Sequence, residues 1–321
     1  MRTAIVITLA LLVLGVGAWV SRDRIGVIVA PKKVPAESRS EAATKADALF
    51  WRTFHTGEYD KIQSALDALT SAYLQTPNDA KTAAHIAWLH NWRIAERGRM
   101  ESVPATITDD TLVARRYFEE AVKLDPSDAR LLGFLAGHTM AEGTLHKDER
   151  LTREGYFMMR AAIEAWPEFN LFTGGYVMSR LPAASPQFKE GLRWQWETLD
   201  KCIDGTLDRE NPDYSPYMSL ETTDGKKRAC WNSWIAPHNF EGFFLNMGDM
   251  LVKAGDWRTA RKIYANARLS RTYARWQYQQ TLDDRINRAE ANVAAFNAAD
   301  STPTQRIMID SPFACMACHR H

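Results

Sequence analysis

The sequence predicts an all-α protein, a solenoid of helical hairpins, on three observations. From Ala42 to about residue 297 the apolar residues recur with helical periodicity. One phrase recurs three times: a small residue, a bulky one four positions on, a small one three later, and a proline five beyond. Its copies are Ala65, Leu69, Ala72, Pro77; Ala114, Phe118, Ala121, Pro126; and Gly155, Met159, Ala162, Pro167. Small residues at set points let neighbouring helices approach closely, and proline ends a helix because it has no amide hydrogen to donate. The third observation is a fuller copy, "FLNMGDMLVKAGDWRTARKIYANA", with Asn246, Met247, Gly248, Gly255, Trp257, Ala260, Tyr264 and Ala267 in one regular pattern.

The elements follow in order. Residues 1–21 open with Arg2, run uncharged and mostly apolar from Thr3 to Trp19, and stop at Arg22, which reads as a signal anchor, or as a signal peptide cut after Val16, Gly17 and Ala18. Charge flanks it on both sides, so the charge rule alone leaves its orientation open. Residues 22–41, with Pro31, Lys32, Lys33, Pro35 and several serines, read as a tether. Residues 42–297 are the hairpin stack, interrupted at about 203–236 by a long loop rich in Asp, Asn, Pro and Gly. Residues 298–321 form a tail ending "SPFACMACHRH".

The fourth copy resembles the tetratricopeptide repeat, and the other three match that family mainly in their second helices. Pro77, Pro126 and Pro167 lie 49 and 41 residues apart, more than the ideal repeat of about 34, which places insertions in those units. The resemblance implies a right-handed superhelix whose first helices line a concave groove that docks proteins or peptides. Aligned on Pro77 and Pro126, it expects Lys81, Trp88, Asn91, Trp92, Arg130 and Met140 to face that groove, with packing between repeats as the competing role for the tryptophans and the methionine. It implies a shape and no reaction.

With 40 basic and 39 acidic residues the chain is nearly neutral, so a nucleic-acid partner is not expected. Nor does it hold a G-x-S-x-G, a Gly-rich phosphate loop or an H-E-x-x-H, and an electron carrier or scaffold subunit is expected rather than an enzyme.

The chemistry-bearing residues sit at the end. Cys315, Met316, Ala317, Cys318 and His319 spell C-x-x-C-H, which resembles the haem attachment motif of c-type cytochromes. That resemblance implies one covalent haem c, with Cys315 and Cys318 as thioether residues and His319 as proximal iron ligand. A small cytochrome c places a long segment with a methionine ligand after this motif, whereas only Arg320 and His321 follow it here. The sixth ligand is therefore sought upstream, at Met308, Met140 or His238, in a partner, or nowhere. Rival readings are a thioredoxin-type redox pair, which lacks its βαβ setting, a zinc site of Cys315, Cys318, His319 and His321, which is crowded, and an unmodified tail.

Haem attachment of this kind takes place outside the cytoplasm. The expected location is the periplasmic face of a bacterial inner membrane, or the periplasm if the signal is cut. Cys202 and Cys230 bracket the long loop, and in an exported chain a disulfide is their default, with free thiols or metal ligation as alternatives. Inside the loop and just beyond it stand Trp231, Trp234 and His238. The functional expectation is a monohaem electron-transfer subunit that docks a redox protein or a membrane complex. Its alternatives are a non-redox factor of cytochrome maturation, or a haem sensor or peroxidase with an open iron position.

Overall fold

Proline and aspartate set the ends of the helices. In the computed structural model, which describes residues 32–231, 240–298 and 306–320, every regular element is helical. They are α1 (Glu41–Thr56), α2 (Ile62–Gln75), α3 (Ala80–Ala95), α4 (Asp109–Leu124), α5 (Ala129–His146), α6 (Glu149–Ala165), α7 (Pro167–Met178), α8 (Pro186–Ile203), α9 (Phe240–Lys253), α10 (Trp257–Asn266), α11 (Gln279–Asn287), α12 (Ala289–Asn297) and the one-turn α13 (Met316–His319). The all-α expectation holds for the described residues.

The residues before the three recurring prolines, Thr76, Asp125 and Trp166, adopt nearly one conformation (φ/ψ −138°/75°, −132°/79° and −149°/82°). A following proline disfavours the helical region for its predecessor, so α2, α4 and α6 stop there. Two residues past Pro77 and Pro126, Asp79 and Asp128 cap the next helices, accepting from the amides of Lys81 and Thr82 and of Arg130. Past the third, Pro167 itself occupies the first turn of α7.

Consecutive helices pack as pairs, α1 on α2, α3 on α4, α5 on α6, α7 on α8 and α9 on α10, and each pair packs on the next. The repeated phrase lies in these seams: Ala65, Leu69, Ala114, Phe118, Ala121, Met159 and Ala162 are wholly buried. Gly155 shows why its position is small. A Cβ there would stand 2.7 Å from the Met140 amide nitrogen and 2.8 Å from the Ala136 carbonyl oxygen, backbone atoms of α5 that have nowhere to go. In an exposed helix, Gly→Ala stabilises by up to about 1 kcal/mol. Gly155→Ala is expected to do the reverse and cost about 2–3 kcal/mol through overpacking, as read from denaturant unfolding.

Two large apolar clusters result. One draws on α1 to α4, with Phe50, Leu69, Trp88, Trp92 and Phe118; the other is centred on α9 to α12, with Phe244, Tyr264, Trp276, Leu282 and Phe296. Within the second, Arg285 Nε lies 3.0 Å from Asp249 Oδ1, and the Tyr264 hydroxyl donates to that same oxygen at 2.5 Å. All three residues are buried.

The excursion after α8 is described as far as Trp231. A disulfide joins Cys202 and Cys230, with 5.9 Å between their Cα atoms. Inside it Tyr214 is buried, its amide donating to Asn266 Oδ1 while Asn266 Nδ2 donates to the Pro212 carbonyl. Trp231 stacks on Phe240 at 5.5 Å. Trp234 and His238 lie outside the described residues, as do the expected anchor at 1–21 and the first half of the tether, 22–31. Among the described residues no helix is long and apolar enough to cross a membrane.

Candidate functional site

The terminal motif is wedged into the protein. Cys315 and Met316 join the N-terminal apolar cluster, while Ala317 and Cys318 join the C-terminal one. The single turn of α13 therefore bridges the two, touching both α1 and α9. Gly57 makes room on the α1 side. It ends α1 in the left-handed region (φ 70°), and a Cβ there would meet the Arg320 side chain at 3.0 Å and Met316 Sδ at 3.2 Å.

Directed hydrogen bonds hold the segment. Tyr176 OH donates to the Ala314 carbonyl at 3.1 Å, Trp276 Nε1 to the Ala317 carbonyl at 2.8 Å, and His55 Nδ1 to the His319 carbonyl at 2.9 Å. Phe54 packs against the His319 ring with centroids 4.5 Å apart. The strongest anchor is Glu96, whose side chain is wholly buried. Its Oε1 accepts from the amides of Cys315 (2.7 Å) and Met316 (2.8 Å), and its Oε2 accepts from Trp92 Nε1 and Arg99 Nη1, each at 2.9 Å. Burial pushes the Glu96 carboxyl pKa up. Its four neighbours are all N–H donors, which pull the other way and leave no acceptor for a carboxyl proton.

Cys315, Cys318 and His319 line one cavity of about 310 Å³. Its other walls come mainly from α3, α5 and α7, the first helices of three successive hairpins, and are largely apolar, Ile94, Phe134, Phe172 and Val177 among them, with Ile107, Thr108 and Thr111 from around the start of α4 and Ile309 from the terminal segment. Arg97 and Arg180 bring two cations to its edge, and Leu145, 44 % exposed, marks a side reached by solvent. On α5, Gly133 and Gly137 let α7 approach closely: a Cβ would meet Asn170 Oδ1 at 2.1 Å at the first and Val177 Cγ2 at 3.2 Å at the second. Beside them stands His138, buried, its Nε2 3.1 Å from Asn91 Oδ1. Burial pushes the His138 pKa down to about 4, against the Thr111 backbone, which favours the charged form.

Neither thiol is disulfide-bonded, and both are buried. Burial pushes the Cys315 pKa well up, with Glu96 and Cys318 adding to the shift, and it raises that of Cys318 too, with Glu241 adding. Both groups therefore remain thiols at neutral pH. That is the opposite of the exposed, lowered-pKa thiolate of a thioredoxin-type pair. Among the described residues no three Cys, His, Asp or Glu side chains converge as a metal set.

The other expected site residues disperse. Met308 and Met140 are buried in the C-terminal cluster and against α6, and neither lines the cavity. His238 lies outside the described residues. Of the six groove residues only Asn91 lines the cavity. Trp88 packs among Phe118 and Phe134, and Trp92 is wholly buried and spends its N–H on Glu96. Lys81 is exposed near Asp47, and Arg130 folds back on Asp128. For Trp88, Trp92 and Met140 the burial is that of the competing packing role. Glu96, Tyr176 and Trp276, which hold the terminal segment, were not found by sequence reasoning, because nothing local to them marks a residue as touching the far end of the chain.

No protein-family model, curated protein or solved structure matches this chain.

Proposed function

We propose that this chain is an exported, membrane-anchored monohaem protein of electron transfer, with its haem held covalently where the chain end enters a tetratricopeptide-like stack. The observation that carries the proposal is the cavity: two thiols and an imidazole in C-x-x-C-H spacing share one apolar-walled space, within the size range of cofactor pockets. Cys315 and Cys318 would hold the haem as thioethers, each thiol adding S–H across one vinyl group, and His319 would be the residue that ligates its iron. Once bound, haem supplies one-electron chemistry. Arg97 and Arg180 suit the two propionate carboxylates, and Phe134, Phe172 and Val177 exclude water from the ring.

The stack supports the reading through its order, since α3, α5 and α7 are the helices that line a concave face in such superhelices. The Cys202–Cys230 disulfide suits an oxidising compartment, as the expected export signal at 1–21 requires. The buried thiols favour a permanently loaded site over a maturation factor that exchanges thiols. The partner is a redox protein or a membrane-complex subunit that meets the open side of the cavity.

Expression in a host with c-type maturation machinery tests this. A denaturing gel stained for haem peroxidase activity is expected to show a band at the chain's mass. Cys315→Ala combined with Cys318→Ala removes the band, and an unstained wild-type chain overturns the proposal.

A further inference from the structure

We infer that the outer face of α10 is a docking surface for an acidic protein, one that presents clustered aspartate and glutamate side chains. The chain as a whole holds 40 basic and 39 acidic residues, yet residues 257–282 hold six basic residues and no acidic one. These are Arg258, Arg261, Lys262, Arg268, Arg271 and Arg275; Arg261 is half-buried and the other five are exposed. On α10 and the 3₁₀ turn that continues it (Ala267–Leu269), Arg258, Arg261, Lys262 and Arg268 fall within about a third of the helix circumference. Arg268 pairs with Asp283 at 2.6 Å and Arg271 with Glu221 at 3.4 Å, whereas Arg258, Arg261, Lys262 and Arg275 have no ion pair with a described residue.

The cations are held in place before any partner arrives. Arg258 and Arg261 both stack on Trp257, their guanidinium carbons 4.3 and 4.7 Å from its ring centroid. Arg261 Nε also donates to the Ile286 carbonyl at 3.0 Å and Lys262 Nζ to the Glu210 carbonyl at 2.6 Å, so α11 and the disulfide-bracketed loop both brace the stripe. A guanidinium stacked on an indole still presents an N–H edge that matches a carboxylate in two-pronged fashion, and part of its ordering cost is already met. Tryptophan flanked by arginine is also the composition that dominates the energetics of protein interfaces, from which lysine is depleted. A lipid surface fits less well: among the described residues no exposed large apolar side chain falls in 257–282, so nothing there enters an acyl layer. The run of cations ends beside the terminal motif, since Arg275 adjoins Trp276, whose indole donates to the Ala317 carbonyl. Docking here does not depend on haem.

The test titrates the purified full chain into a fluorescein-labelled decaglutamate peptide and follows anisotropy. Saturable binding is expected at low salt, weakening as salt rises. Arg258→Glu combined with Lys262→Glu is expected to weaken it about tenfold or more. Lys45→Glu combined with Arg153→Glu, at two exposed cations on α1 and α6, changes the net charge equally and is expected to leave binding within about twofold. Arg258→Lys keeps the charge but loses the fork, and is expected to fall between the two. A second readout needs no variant: the same peptide carrying a benzophenone is expected to crosslink within residues 257–275. No binding by the wild type, an equal loss in both double variants, or crosslinks confined to other parts of the chain overturns the inference. So does tighter binding of phosphatidylglycerol vesicles or duplex DNA through the same cations.

Discussion

Glu96→Ala is expected to cost about 3–5 kcal/mol and to release the terminal segment. The carboxylate is the common acceptor for the Cys315 and Met316 amides, the Trp92 indole and the Arg99 guanidinium. Its removal leaves a cation and three neutral donors without their acceptor in a dry interior, and breaking a buried charged network from one side carries a penalty of that size. Glu96→Gln is expected to lose less, about 1.5–3 kcal/mol, because one amide oxygen still accepts while the NH2 faces donors. In the haem-free chain Cys202 and Cys230 are tied up in their disulfide, so a thiol reagent reports only Cys315 and Cys318. Both are expected to be protected in the wild type and to label rapidly in Glu96→Ala at a temperature where the helical signal is unchanged. Equal protection in the two proteins refutes this role for Glu96.

The second large effect belongs to the buried pair at the other end of the stack. Arg285→Ala is expected to cost about 3–5 kcal/mol because it strands Asp249 without its countercharge. It also removes the bond from Arg285 Nη2 to the Arg306 carbonyl, the start of the described terminal segment. The loss has a pH signature. In the wild type, burial raises the Asp249 pKa from its ordinary 3.8 to about 6, against Arg285 and Tyr264, which lower it. Without Arg285 it rises further. The folded state then binds a proton that the unfolded state does not, between the unfolded carboxylate pKa and the folded one, so stability falls as pH rises through that window. The deficit of Arg285→Ala relative to wild type is therefore expected to be smaller at pH 5 than at pH 8. Combining Arg285→Met with Asp249→Leu is expected to recover much of it, because an apolar pair needs no desolvation. A deficit that does not change with pH places the damage in packing instead.

Legibility in the sequence followed the range of the interaction. The prolines at 77, 126 and 167 and the aspartates at 79 and 128 act on residues within a turn of themselves, and the helix ends fall where they direct. The small residue at 155 was readable as a close approach, since the phrase recurs and only backbone contact demands it. The facing of the first helices was not readable to the same degree. Asn91 and Trp92 are neighbours in sequence, yet one lines the cavity and the other is enclosed. His138 and Met140 diverge by about 200° around one helix, so an alignment that selected the methionine passed over the histidine.

By itself the sequence determined an all-α chain, the ends of α2, α4 and α6 at Pro77, Pro126 and Pro167, and the Cys202–Cys230 pairing given an oxidising setting. Only the tertiary structure decided that the last turn is buried between the two halves of the core, that Glu96 caps it across 219 residues of sequence, and that His138 faces the same cavity. Helix boundaries are set by steric and hydrogen-bonding rules that act over four residues and need no partner. A cavity wall is assembled from helices whose packing is fixed by every seam between them at once, so no local pattern records which polar residue each helix turns inward.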